Sequence, residues 1–181
     1  MLIGLTGRNG AGKGVVAELL KKKGFEYHSL SDVIRDEIRK EGHEVTRERL
    51  IEMGRRLRTQ GGPSILADKI LVTLKPGEKY VVDSIRNPHE VMALKARRDF
   101  HLIFVDAERH VRFERCRLRG RENDPADFAE FVRLEEAELY SKDIAGQQLV
   151  ATAKLADHVL DNSGTLADLQ TRLDEWLNRL P

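Results

Sequence analysis

A chain of 181 residues is long enough for one domain with a sizeable core and short for two. With 40% hydrophobic and 34% charged residues it describes an ordered globule, and no apolar run approaches the roughly 18 to 20 residues of a membrane span, so disorder and membrane insertion are excluded as the main theme. The net charge of +1 is uneven: residues 1–121 hold 26 basic and 17 acidic side chains, and residues 122–181 hold 5 and 13. Aromatic residues make up only 6% of the chain, too few to interleave that basic part as a nucleic-acid platform, and bound phosphate groups explain it better.

In chain order, Leu2–Thr6 reads as a short buried strand, followed by a glycine-rich turn and a helix with Val15, Val16, Leu19 and Leu20 on one face. Met1 leads straight into that strand with no basic region or signal core, so a cytoplasmic address is expected. Phe25–Ser29 is a second strand. Charged helical segments at about 31–41 and 46–60, separated by Gly42 and closed by Gly61, Gly62 and Pro63, predict a small mobile insertion. Tyr80–Asp83 is a third strand, Asn87 and Pro88 open a helix, and His101–Val105 is a fourth strand. Asp124 and Pro125 predict another helix opening, with the helix running through about Tyr140. His158–Leu160 is the last strand, and a C-terminal helix from about Thr165 carries Leu173, Trp176, Leu177 and Leu180 as a core-facing stripe. Five strands alternating with helices predict an α/β fold with a parallel sheet covered on both faces.

Two further features carry little chemistry. Cys116, the single cysteine, has no partner for a disulfide or a zinc site, and the six histidines include no pair at metal-ligand spacing on a shared helix face. The run Arg55-Arg56-Leu57-Arg58 reads either as a steering patch for an anion or as the solvated outside of the insertion. Gln147 and Gln148 have no assigned role.

Gly7-Arg8-Asn9-Gly10-Ala11-Gly12-Lys13 fits G-x-x-x-x-G-K between a predicted strand and a predicted helix, the setting that pattern requires. Glycines let successive amides turn toward one anion, the helix N-terminus adds positive potential, and the lysine supplies a point charge for the outer phosphates. The expected ligand is a nucleoside triphosphate, ATP, with Gly7, Asn9, Gly10, Ala11, Gly12, Lys13, Gly14 and Val15 around it.

The G-K-G form resembles the adenylate kinase branch of the nucleoside monophosphate kinases, which generally follow it with a hydroxyl residue; Gly14 and Val15 supply none. Mg2+ is then expected on the nucleotide phosphates and water, with Asp83 reaching it through water. Ser31-Asp32-Val33-Ile34-Arg35 resembles the start of that family's monophosphate-binding segment, which implies acceptor roles for Asp32 and Arg35. Taken alone, Asp32 equally fits a helix N-terminal acid and Arg35 a solvated helix residue. Val82-Asp83-Ser84-Ile85-Arg86 resembles the family's strand-end D-G-x-(P)-R element, with Ser84 in the place of glycine, and implies that Arg86 faces the acceptor.

Arg115, Arg117, Arg119 and Arg121, followed by Glu122-Asn123-Asp124, resemble a short arginine-rich lid over 115–125 hinged at Gly120, which implies catalytic roles for Arg119 and Arg121 beside Lys13 and Arg86; a helix with a solvated basic face fits the same residues. Ala156–Thr165 resembles the last strand and turn of dephospho-coenzyme A kinase, where the turn borders adenine. That implies backbone contacts to the base around Asn162, Ser163 and Gly164, with side-chain chemistry mattering little; an ordinary turn explains Asn-Ser-Gly equally. Leu30 replaces the first acid of the D-x-D that dephospho-coenzyme A kinases present as a base, which favours a phosphate acceptor needing no base over a hydroxyl.

Together the resemblance implies a three-layer P-loop NTPase fold with a five-stranded parallel sheet, a helical acceptor-binding insertion at 31–62 and a short lid. The implied activity transfers the γ-phosphoryl of ATP to a small-molecule acceptor, a nucleoside or deoxynucleoside monophosphate. Dephospho-coenzyme A kinase and a nucleotide-binding regulatory protein with little phosphotransfer stand as the alternatives, and neither a membrane nor a nucleic-acid partner is expected.

Overall fold

The computed structural model describes residues 1–120, 125, 127–139 and 148–180. Its strands are β1 (Leu2–Gly7), β2 (Glu26–Ser29), β3 (Tyr80–Asp83), β4 (Phe100–Asp106) and β5 (His158–Asp161), all paired in parallel in the order β2-β3-β1-β4-β5. Because side chains alternate along a strand, β1 and β4 must bury both faces, and their near-continuous apolar runs do so. Leu2, Val82, Phe100 and Leu102 line one face, beneath α2 (Leu30–Lys40), α4 (Ile65–Leu71) and α5 (Pro88–Leu94). Ile3, Leu5, Val81, Ile103 and Val105 line the other, beneath α1 (Lys13–Lys22) and α9 (Leu166–Leu177). The result is the expected three-layer α/β architecture.

The insertion is α2 and α3 (Arg47–Gly61), and it belongs to the core. Leu30, Ile34 and Ile38 recur every four residues along α2 and are buried with Met53 of α3 against the sheet. Ser29 caps α2, its hydroxyl accepting from the Ser31 amide, and Thr46 caps α3 through the Arg49 amide. Asn87 opens α5 with a full capping box closed by Glu90, as the Asn-Pro pair led us to expect.

Two short helices lie outside the sequence reading: α4, and α8 (Leu149–Ala153), which packs on the β1 face. Seven and five residues are too few for a helical period to stand out. α6 (Arg109–Arg119) takes in residues 115–119, where a helix with a basic face also fits the sequence; it buries Arg112, Phe113 and Cys116 on one side and ends at Gly120 with φ 58°. One expectation needs correction. α7 (Phe128–Leu139) opens at Asp127, whose carboxylate accepts from the Glu130 amide at 2.8 Å, so Asp127 does the work expected of Asp124; Pro125 is buried and non-helical. Arg121, Glu122, Asn123, Asp124, Tyr140 and Gln147 lie outside the described residues. Among the described residues no helix is long and apolar enough to cross a membrane.

Candidate phosphate-binding and acceptor site

β1 ends in the glycine loop and α1 begins at Lys13, so the loop sits at the carboxyl edge of the central strand, where parallel sheets gather ligands. Gly12 is the N-cap of α1 with φ 94°, a left-handed conformation, and a Cβ there would collide with the side-chain amide of Asn162. Gly10, with φ 75°, lies so close to the Arg112 carbonyl that a Cβ has no room. Among the described residues the amides of Gly10 and Gly12 donate to no protein carbonyl, which leaves them for an anion. Lys13 Nζ bridges back over the loop to the carbonyls of Gly7 at 2.8 Å and Arg8 at 3.0 Å, holding its charge above the bend.

The loop is braced from the far strand. Asn162 is 5% exposed, and its Nδ2 donates to the Ala11 carbonyl at 2.8 Å, while its amide donates to the Asp106 carbonyl at 2.7 Å. The Asn162 side chain thus braces the loop, a role separate from the backbone contacts expected toward the base. Gly164 lies where a Cβ would stand 2.7 Å from the Asp168 carboxylate that completes the capping box of α9. Gly14 has open space around it, so steric crowding does not account for its missing hydroxyl, and Val15 is exposed.

The carboxyl ends of β2 and β3 form the second half of the site, with Ser29 in register with Asp83. Ser84 follows at φ 66°, a left-handed conformation strained for a residue with a side chain; its hydroxyl meets Ser29 Oγ at 3.2 Å and its amide donates to Asp83 Oδ1 at 2.5 Å. Burial, then the negative charges of Asp83 and Asp32, push the Tyr27 phenol up from its usual range, and its hydroxyl stands 3.5 Å from Asp83. Tyr27, Asp32 and Asp83 thus share one mouth. Arg35, one turn into α2, is engaged with Asp32 at 2.7 Å, so an acceptor would have to compete for it. Arg86 lies on the turn that follows β3, its carbonyl accepting from the Gln148 amide at 2.8 Å, which sets the start of α8 beside it.

The arginines of α6 divide. Arg119 Nη2 lies 3.4 Å from the Asn9 side chain, and Arg115 Nη1 is buried 3.9 Å from where a Gly12 Cβ would stand, with no hydrogen-bond partner among the described residues. Arg117 turns away to Glu114 at 2.7 Å. Arg8, inside the loop, bonds Glu135 of α7 at 3.2 Å and pairs with Asp106 at 3.4 Å; Arg112 and Arg109 reach the same Glu135. Burial raises the Glu135 pKa, but the hydrogen bonds and charges of Arg112 and then Arg8 outweigh it, and the group sits below its ordinary value. Glu135 and Tyr27 carry no short-range sequence signal, because their partners lie far along the chain, Arg8 and Arg112 for the first and Asp83 for the second, while Asp106 and Arg112, only six residues apart, match no motif. Among the described residues no cluster of His, Cys, Asp and Glu is built to hold a metal. A cavity of about 300 Å³ between α8 and the β4–β5 side of the sheet is lined by neither Arg35 nor Arg86.

A five-stranded sheet with a lysine-terminated glycine loop on its central strand defines a P-loop kinase-like nucleotide-binding fold. Residues 3–141 match the family model described as AAA domain. The chain belongs to the UPF0200 family: it is 34% identical to the UPF0200 protein of Methanothermobacter thermautotrophicus over 99% of this chain and 90% of that one. It is 33% identical, with the same coverage, to that of Methanocaldococcus jannaschii. Among solved structures it is similar to shikimate kinase from Bacteroides thetaiotaomicron (TM-score 0.60, 16% identity, 98% of each chain). It is also similar to TT1252 from Thermus thermophilus (TM-score 0.58, 22% identity, 100% of this chain and 98% of that one). A gluconokinase from Sinorhizobium meliloti follows the same fold (TM-score 0.53, 15% identity, 98% and 94%).

Proposed function

We propose that this protein transfers the γ-phosphoryl group of ATP to the phosphate of a nucleoside or deoxynucleoside monophosphate. The supporting observation is that two arginine-bearing elements, α2 with Arg35 and the β3 turn with Arg86, leave adjacent strand ends beside the glycine loop. An acceptor phosphate oxygen attacks the γ-phosphorus, the bond to the β–γ bridging oxygen breaks, and ADP departs. A phosphate oxygen is already a nucleophile, so positioning and charge do the work, with no base required. In this scheme Lys13 grips the donor, Arg35 and Arg86 grip the acceptor with Asp32 orienting Arg35, and Arg115, Arg119 and the lid arginine Arg121 neutralise the transferring group. The turn at Asn162 and Gly164 borders the base.

The donor set fits magnesium held mainly by phosphates and water, since Gly14 and Val15 offer no side-chain hydroxyl and Asp83 is the acid at the neighbouring strand end. When bound it would supply charge neutralisation on the phosphates. A second reading, transfer to a hydroxyl as in dephospho-coenzyme A kinase, gains support from Asp32 and Asp83 together facing Tyr27, two carboxylates that could take a hydroxyl proton. Shikimate kinase and gluconokinase among the fold's neighbours also suit a small-molecule acceptor.

ADP release followed over a panel of nucleoside monophosphates, deoxynucleoside monophosphates and dephospho-coenzyme A tests both. The expected result is strong stimulation by at least one monophosphate, lost in Arg86→Ala while ATP affinity holds. Consumption of dephospho-coenzyme A alone selects the second reading. ATP binding without stimulation by any acceptor leaves a nucleotide-responsive regulatory protein and removes the kinase.

A further inference from the structure

The sequence run Arg55-Arg56-Leu57-Arg58 reads as a solvated basic face, yet Arg58 is 8% exposed. Its Nε and Nη2 donate to Oε1 of Glu90 at 3.1 and 2.7 Å, and Glu90 is completely buried. The other oxygen of Glu90 accepts the amides of Arg86 at 2.9 Å and Asn87 at 3.1 Å. One carboxylate thus fastens α3 to the turn that carries Arg86. The same contact region reaches α2: a Cβ on Gly54 would stand 3.0 Å from Ile34 Cδ1 and 3.4 Å from Arg58 Nη1. A glycine in a helix interior is unfavourable, and here its small size lets α3 close on α2 while the guanidinium of Arg58 passes toward α5.

A buried ion pair is a poor source of net stability, because the attraction does little more than offset the loss of hydration, whereas its directional bonds fix geometry well. Asn87 and Glu90 alone would suffice to cap α5, so the partner on α3 is surplus to capping. We infer that Arg58 and Glu90 are positioning residues that set the spacing between Arg35 on α2 and Arg86 on the β3 turn, and so select the acceptor phosphate. This rests on the acceptor roles proposed above for those two arginines. Ile34 precedes Arg35, so the α2–Gly54 contact, the Arg58–Glu90 pair and the hydrogen bond from the Arg86 amide to Glu90 form a continuous path between them. The loop that binds ATP takes no part in it.

The test uses the full chain as Arg58→Met/Glu90→Gln, which removes both buried charges together and so leaves no orphan charge to unfold the protein, with Arg58→Lys as the conservative variant. Kinetics are read with the monophosphate that turns over best in the panel, and amide hydrogen exchange is read over 84–92 and 52–60. The double variant should raise the acceptor KM about tenfold with the ATP KM within about twofold, and speed exchange at Arg86 and Asn87; Arg58→Lys should recover most of both. A purely structural role would lower the active fraction, and with it kcat, while leaving both KM values unchanged; that result overturns the inference. If no acceptor turns over, the proposed activity fails, yet exchange still decides the brace: wild-type protection of Arg86 and Asn87 in the double variant overturns it, and faster exchange supports it.

Discussion

Asn162 reaches Ala11 across 151 positions of sequence and braces the glycine loop from the far strand. The Ala11 carbonyl is deep in the fold, where an acceptor stripped of its partner costs about 1–3 kcal/mol. Asn162→Ala should therefore destabilise the protein by that amount and weaken MgATP binding about tenfold, measured by thermal unfolding and by titration. Unchanged affinity with a lowered melting temperature would confine Asn162 to stability. The glycine loop itself was legible, because spacing, lysine and flanking elements all lie within about a dozen residues. Its brace was not: Asn-Ser-Gly reads as an ordinary turn, and nothing local says that its amide points at the loop. Arg58 misled in the opposite direction, since a run of arginines looks solvated until α5 presents Glu90.

Helices were readable in proportion to their length and to their caps. α5 announced itself through Asn87 and Pro88, whereas α8 is too short, and α7 begins three residues beyond the Asp-Pro pair that was expected to open it. α7 also has a task that no periodicity reveals, since Glu135 fastens it to Arg8 inside the phosphate loop and to Arg109 and Arg112 of α6. The folded pKa of Glu135 lies below its unfolded value, so its contribution is present above about pH 4.5 and is lost as pH falls through the folded value. Asp99, held well below the usual carboxylate range by Arg97 against the opposing effect of burial, and then by the N-terminal ammonium, acts with the same sign. Melting temperature should thus fall on acidification below about pH 5, and Glu135→Gln should be less stable at neutral pH, by about 3 kcal/mol, with a shallower acid decline. Equal slopes for the two proteins would show that the Glu135 charge is not what couples α7 to the loop.

The sheet order was not written in the sequence, because crossover connections between parallel strands fix neighbours only once the helices choose faces. The alternation of elements sufficed for the class, and the ends of β1, β2 and β3 then bring the glycine loop, Asp83, Arg35 and Arg86 to one edge from segments spread over the first half of the chain. The more acidic second half reaches that edge through Glu135 of α7, which pairs with Arg8, and through the Asn162 turn, which bonds Ala11. All of it presumes that the loop takes a polyphosphate. Isothermal titration of MgATP into the wild type and Lys13→Ala is the direct measurement. Saturable one-to-one binding, weakened at least about tenfold in the variant, is the expected result; no heat from the wild type, or equal affinity in both, would contradict it.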